Sequence, residues 1–154
     1  MVARWSTDSQ SILMKTQIPK GDVGSVFKLW EYRVSHKQLL IRCPRLSEAS
    51  KNVDLKFYNV EYVDLPSVFP DLEIDDADQK DIAFASSRLG RTVESKRVIV
   101  LKSRGERYIV VAGDLAVEES ATGIFESPFA LPPVDISRGL AAKPFPKDFE
   151  KPTR

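Results

Sequence analysis

The chain has 154 residues, 42% of them hydrophobic and 29% charged, with 23 basic against 22 acidic side chains and a formal net charge of +1. A length of this order suits one domain around one core, and the apolar content excludes general disorder. The near balance of charge excludes a whole-molecule field that would draw in nucleic acid or anionic lipid, so any such binding needs a local patch.

Residues 1–25 mix short polar and apolar pieces and end in the turn formers Pro19-Lys20-Gly21-Asp22-Val23-Gly24-Ser25, which predicts an N-terminal arm. From Val26 the text becomes strand-like, with Val26, Trp30, Tyr32 and Val34 assigned to one face. Ser35-His36-Lys37 is short and polar, and Gln38-Leu39-Leu40-Ile41-Arg42-Cys43 follows as a second strand stopped by Pro44, so the two form a hairpin. Val53-Asp54-Leu55-Lys56-Phe57-Tyr58 alternates apolar and polar with period two, the pattern of a strand with one wet face. The alternation resumes after Asn59 in the opposite phase, which calls for a bulge or tight turn there. Pro66 and Pro70 end the run.

A helix is expected near 76–89, with acidic residues at its start, Arg88 near its end, Gly90 as its stop, and Ile82, Ala85 and Leu89 on one face. Two apolar runs, 97–102 and 107–112, flank Ser103-Arg104-Gly105-Glu106 and make the clearest hairpin, with continuous hydrophobicity that implies central strands. A short strand follows from Asp114. Beyond Thr122, Pro128, Pro132, Pro133, Pro144, Pro146 and Pro152 forbid long helix or central strand, yet Phe125, Phe129, Val134, Ile136, Leu140, Phe145 and Phe149 are too apolar for a solvated linker. Such a tail is expected to lie on the core or on a partner subunit.

The fold class is therefore mainly β (α+β): a twisted antiparallel sheet of five to seven strands in a roll or partial barrel, with one helix near 76–89. It divides into an N-terminal arm over 1–25, a β-rich core over 26–122 and a Pro-rich extended tail over 123–154. The single cysteine, Cys43, suits a reducing compartment. The Ile12-Leu13-Met14 cluster is too short for a signal segment, and no window approaches the roughly 20 apolar residues of a membrane span. A cytoplasmic location and no membrane partner are the expectation.

The chemistry-bearing residues are sparse. Asp71, Glu73 and Asp75 stand at the first three ligand offsets of a calcium loop, but Asp76 replaces the required Gly and Ile82 the required Glu. With Asp76, these carboxylates remain candidate ligands for a looser divalent-ion site. His36 is the only histidine and falls at a hairpin tip, and Cys43 reads as a small buried hydrophobe. Neither phosphate-loop fingerprint occurs among the seven glycines, so no cofactor is predicted. Arg88, Arg91, Arg97, Lys102, Arg104 and Arg107 form a basic group that, with nearby aromatics, is a candidate nucleic-acid surface, though the interspersed acids weigh against it.

The leading expectation is a non-enzymatic protein–protein interaction module, an inhibitor or immunity-type protein or a self-assembling subunit, with Trp30, Tyr32, Phe129, Phe145 and Phe149 as contact residues. Its partner is another protein or itself, with the terminal arms as a route to a homo-oligomer. The rivals are a carboxylate-dependent divalent-metal enzyme acting on an anionic substrate, and a nucleic-acid-binding protein using the basic region over 88–107.

Overall fold

The computed structural model describes residues 17–129. In chain order its elements are β1 (Phe27–Arg33), β2 (Gln38–Cys43), β3 (Asn52–Tyr58), β4 (Tyr62–Asp64), β5 (Val68–Phe69), β6 (Glu73–Asp75), α1 (Gln79–Leu89), β7 (Val98–Ser103), β8 (Glu106–Val111) and β9 (Asp114–Ser120). The protein is mainly β with one α-helix among the described residues, the β-rich α+β class that the sequence predicts. The nine strands divide between two antiparallel sheets, ordered β5-β1-β2-β3-β9 and β4-β8-β7-β6, and neither closes into a barrel.

The expected single sheet of five to seven strands becomes two sheets for a local reason. Asn59 adopts a left-handed φ of 52°, turning the chain after β3 so that β4 pairs with β8 in the second sheet. The phase change near Asn59 is thus a tight turn between sheets. Strands β4, β5 and β6 are three, two and three residues long, too short to register as a periodic pattern.

Alternation along each strand builds the core. Leu39, Ile41 and Cys43 of β2 and Val53, Leu55 and Phe57 of β3 share one face and meet Leu101 and Val110 of the second sheet. The second sheet's other face gives Val98, Ile109 and Val111 to Ala85 of α1 and to Val93. Strands β7 and β8 are consequently central and covered on both faces, as their continuous apolar runs predict. Their two-residue connection places Arg104 at φ 50° and Gly105 at φ 83°, the double left-handed geometry whose twist matches a hairpin.

The helix begins at Gln79, three residues later than expected, because Asp78 is its cap. The Asp78 Oδ1 accepts hydrogen bonds from the Lys80 and Asp81 N–H groups at 2.8 and 2.9 Å, and the Asp78 N–H donates to Asp81 Oδ2 at 2.9 Å. Of the acids expected at the helix start, Asp76 precedes the helix and Asp78 caps it, while Glu73–Asp75 form strand β6, paired with β7. Gly90, at φ 65°, closes the helix with its N–H on the Ser86 carbonyl.

Candidate functional site

The most elaborated surface is the outer face of the first sheet, the face turned away from the core. Strand pairing sets Arg42 opposite Asp54, and both are buried, Arg42 with none of its surface exposed. The guanidinium donates to Asp54 in a two-pronged pair, Nε to Oδ1 at 2.6 Å and Nη2 to Oδ2 at 2.8 Å. Its Nη1 donates to the carbonyls of Ile124 and Glu126 at 2.8 and 2.9 Å. Residues 123–129 therefore form a strap over the polar face of β2 and β3, and that cover makes the face dry. The wet face expected for β3 is corrected accordingly, since Asn52, Asp54 and Lys56 are all buried.

A second arginine holds the far end of the strap. Arg33 donates from Nη1 to the Phe129 carbonyl at 3.0 Å and from Nη2 to Ser127 Oγ at 3.1 Å, while its Nε pairs with Glu31. Burial works to raise the Glu31 pKa, but hydrogen bonds from Ser127 and Arg33 hold it below the usual carboxylate range. Asn52 fixes the strap's origin, donating from Nδ2 to the Thr122 carbonyl at 3.1 Å and accepting at Oδ1 from the Arg45 N–H at 3.0 Å. On the same face Lys56 Nζ lies 2.6 Å from the Glu118 carboxylate. Burial works to lower the ammonium's pKa there, and the carboxylate more than offsets it.

Aromatic rings seat the strap between these polar contacts. Phe125 stacks on Trp30 with centroids 6.4 Å apart, Trp30 lies 5.9 Å from the Arg42 guanidinium carbon, and Phe129 meets Tyr58 edge-on at 5.7 Å. Trp30 reaches this face through a bulge in β1, where the pairing moves from Leu29 opposite Ile41 to Glu31 opposite Leu40. The extra residue breaks the period-two assignment, so Trp30 points outward while Tyr32, opposite core-facing Leu39, points the other way. The shared face expected for these two residues is corrected by that bulge. Phe145 and Phe149 lie outside the described residues.

Phe125 remains 86% exposed despite its stack, and Leu46 is exposed nearby. Together with Arg45, Ser47, Glu48 and residues 123–126 they line an open groove of about 520 Å³. No family model, curated protein or solved structure matches this chain.

The other candidate residues are dispersed. Asp75 pairs with Arg107 at 2.7 Å, and the Asp76 carbonyl accepts from the same guanidinium at 3.0 Å. Asp71 and Glu73 line a separate shallow depression with Lys102, Arg104 and Gly105. Among the described residues no three His, Cys, Asp or Glu side chains converge as a metal-holding group. Of the basic residues, Arg91 and Arg97 both pair with Glu61, Arg107 pairs with Asp75 and Asp81, and Arg88 stacks over Phe84 at 5.0 Å. His36 sits exposed with its Nδ1 2.9 Å from Ser35 Oγ, at the opposite end of β2 from Cys43, about 20 Å of strand away. Burial pushes the Cys43 thiol pKa up, the reverse of what a nucleophile needs. No helix of the described residues is long and apolar enough to cross a membrane.

Sequence reasoning singled out Trp30 and Phe129, counted Arg42 only among the basic residues around the first hairpin, and missed Asp54, Glu31 and Ser127. One signal was present, an arginine inside the apolar run of β2, but its acidic partner becomes visible only once the register is known.

Proposed function

We propose that this protein is a non-enzymatic protein-interaction module whose contact surface is the groove between Leu46 and Phe125. The observation that carries the proposal is Phe125 itself, a solvent-exposed ring beside Trp30 on a backbone that Arg42 bonds on either side. An aromatic residue whose backbone is held before binding loses less conformational freedom when a partner packs on it, the property of an interface anchor. Arg45 and Glu48 give the groove a polar rim. A partner presenting an apolar side chain between Leu46 and Phe125 fits this chemistry, whether that partner is the target of an inhibitor or immunity-type protein or a second copy in an assembly.

A cytoplasmic setting accords with the single, buried, unpaired cysteine. The metal-enzyme and nucleic-acid readings draw less support, because Arg107 engages Asp75 and Asp81, and Glu61 engages Arg91 and Arg97.

A photo-crosslinking side chain at position 125, irradiated in native lysate, tests the reading. A discrete adduct that disappears with Leu46→Asp is expected, an adduct of doubled mass identifies the self-assembling version, and labelling no stronger than from exposed position 80 on α1 overturns the proposal. Phe125→Ala is expected to leave the urea midpoint unchanged, since the ring is mostly in water already.

A further inference from the structure

On the reading of the Phe125 groove as the contact surface, on which this step rests, we infer that its occupant is a segment of another protein in which an arginine stands next to an apolar residue. The guanidinium lies on the open face of the Phe125 ring and against the carboxylates of Glu48 and Glu126, while the apolar neighbour packs on Leu46.

A guanidinium over an aromatic ring is a packing that the chain itself repeats. Arg42 lies over Trp30 and Arg33 over Phe129, each with its guanidinium carbon 5.9 Å from the ring centre, and Arg88 lies over Phe84 at 5.0 Å. Phe125 stacks on the same Trp30 ring with the planes inclined by 28°. Among the described residues no cation lies over Phe125, and its ring stays 86% exposed. The negative face of such a ring attracts a cation from a partner.

The charges along the groove have the sign that such a partner needs. Its charged lining residues are Glu48, Glu126 and Arg45. The Arg45 side chain is 13% exposed and lies 3.5 Å from Glu48, whereas the Glu48 side chain is 96% exposed. Glu126 is exposed as well, and while its Oε2 accepts from the Gly123 N–H at 3.1 Å, its Oε1 has no donor among the described residues. Asp22 adds a third carboxylate beside Leu46, accepting that residue's N–H at 2.6 Å. An acidic segment meets repulsion in this setting, and a purely apolar one leaves the carboxylates without a counter-charge. Arginine suits the site better than lysine, because a planar guanidinium stacks on a ring with its flat face and still donates to carboxylates from its edge.

The test titrates the full chain, with ¹³C-labelled phenylalanine, against the synthetic peptide Ac-Gly-Leu-Arg-Leu-Gly-amide and its counterparts with citrulline or glutamate in place of arginine. Citrulline keeps the shape and removes the charge, and Phe125→Leu identifies the ring signal to follow. The arginine peptide is expected to shift that signal and to bind about fivefold more tightly than the citrulline peptide, with the glutamate peptide weakest. The preference is expected to fall toward one with Glu48→Gln combined with Glu126→Gln, and with rising salt. Equal affinity for the arginine and citrulline peptides, tighter binding of the glutamate peptide, or no shift from any of the three overturns the inference. A Phe125 shift that follows protein concentration with no peptide present overturns it too, by assigning the groove to a second copy. The groove itself is judged by the photo-adduct from position 125, so a discrete adduct without arginine preference refutes the partner's charge and leaves the contact surface standing.

Discussion

Arg42 and Asp54 form an ion pair buried on both sides, with side-chain exposures of 0% and 1%. Taking two charges out of water costs several kcal/mol per ion, offset here because the guanidinium meets both carboxylate oxygens and two strap carbonyls. Removing one partner leaves the other buried and unpaired. Asp54→Ala is therefore expected to cost roughly 3–5 kcal/mol in urea unfolding, whereas Arg42→Met combined with Asp54→Leu is expected to cost less, since no charge is then stranded. The double change also removes the donors that hold Ile124 and Glu126, so protease cleavage after Phe125 is expected to speed up even where stability recovers. The sequence displays both residues plainly, but period-two alternation says only that they share a face. Whether that face is wet depends on a segment some seventy residues further along the chain.

Among the elements, α1 is the one most nearly written in its own residues. Its start is a reciprocal cap between Asp78 and Asp81, and its end is a left-handed glycine. Asp78→Ala is expected to destabilise the fold by about 1 kcal/mol through the freed N–H groups. Gly90→Ala should cost about the same, here through strain at positive φ, because open space surrounds the position. Both are measurable as shifts in the urea midpoint at unchanged slope. The end of the helix was legible because Gly90 has one conformational reason to be there. The expected start lies three residues early because acids such as Asp76 and Asp78 suit a first helical turn and the approach to a cap alike, and only the bonds from the Lys80 and Asp81 N–H groups to the Asp78 side chain separate the two. Strand β1 misled in the same way, its bulge being invisible until β2 fixes the register.

The molecule is layered as helix, sheet, sheet and strap, and Arg107 joins three pieces of it: β8, which carries it, β6 through Asp75, and the start of α1 through Asp81. Hydrogen bonds from Arg107 hold the Asp75 carboxyl below its ordinary pKa. For Asp81, burial works to raise the pKa, but Arg107 and the Asp78 N–H prevail and lower it, and Arg107 is itself raised by the two acids. A carboxyl with a lower pKa in the folded than in the unfolded chain contributes stability that is fully present above its unfolded value of about 3.9 and is lost as pH falls through the folded value. Urea midpoints measured from pH 7 down to pH 2 are expected to drop on the acid side of pH 4. Asp81→Asn should lie lower at pH 7 and converge on the parent protein toward pH 2, because the variant has no proton to take up at that position.

Composition, turn residues and periodicity by themselves determined a β-rich chain with one helix and its two hairpins, because each rests on contacts between residues near in sequence, and the unbroken apolar runs of β7 and β8 marked those strands for cover on both faces. Only the tertiary structure decided that the strands form two sheets, that the polar face of β3 is dry, and that Phe125 stands exposed beside Trp30. Those features depend on register and on a strap brought back from residues 123–129, and the energy of burying Arg42 exists only when Asp54, Ile124 and Glu126 arrive together.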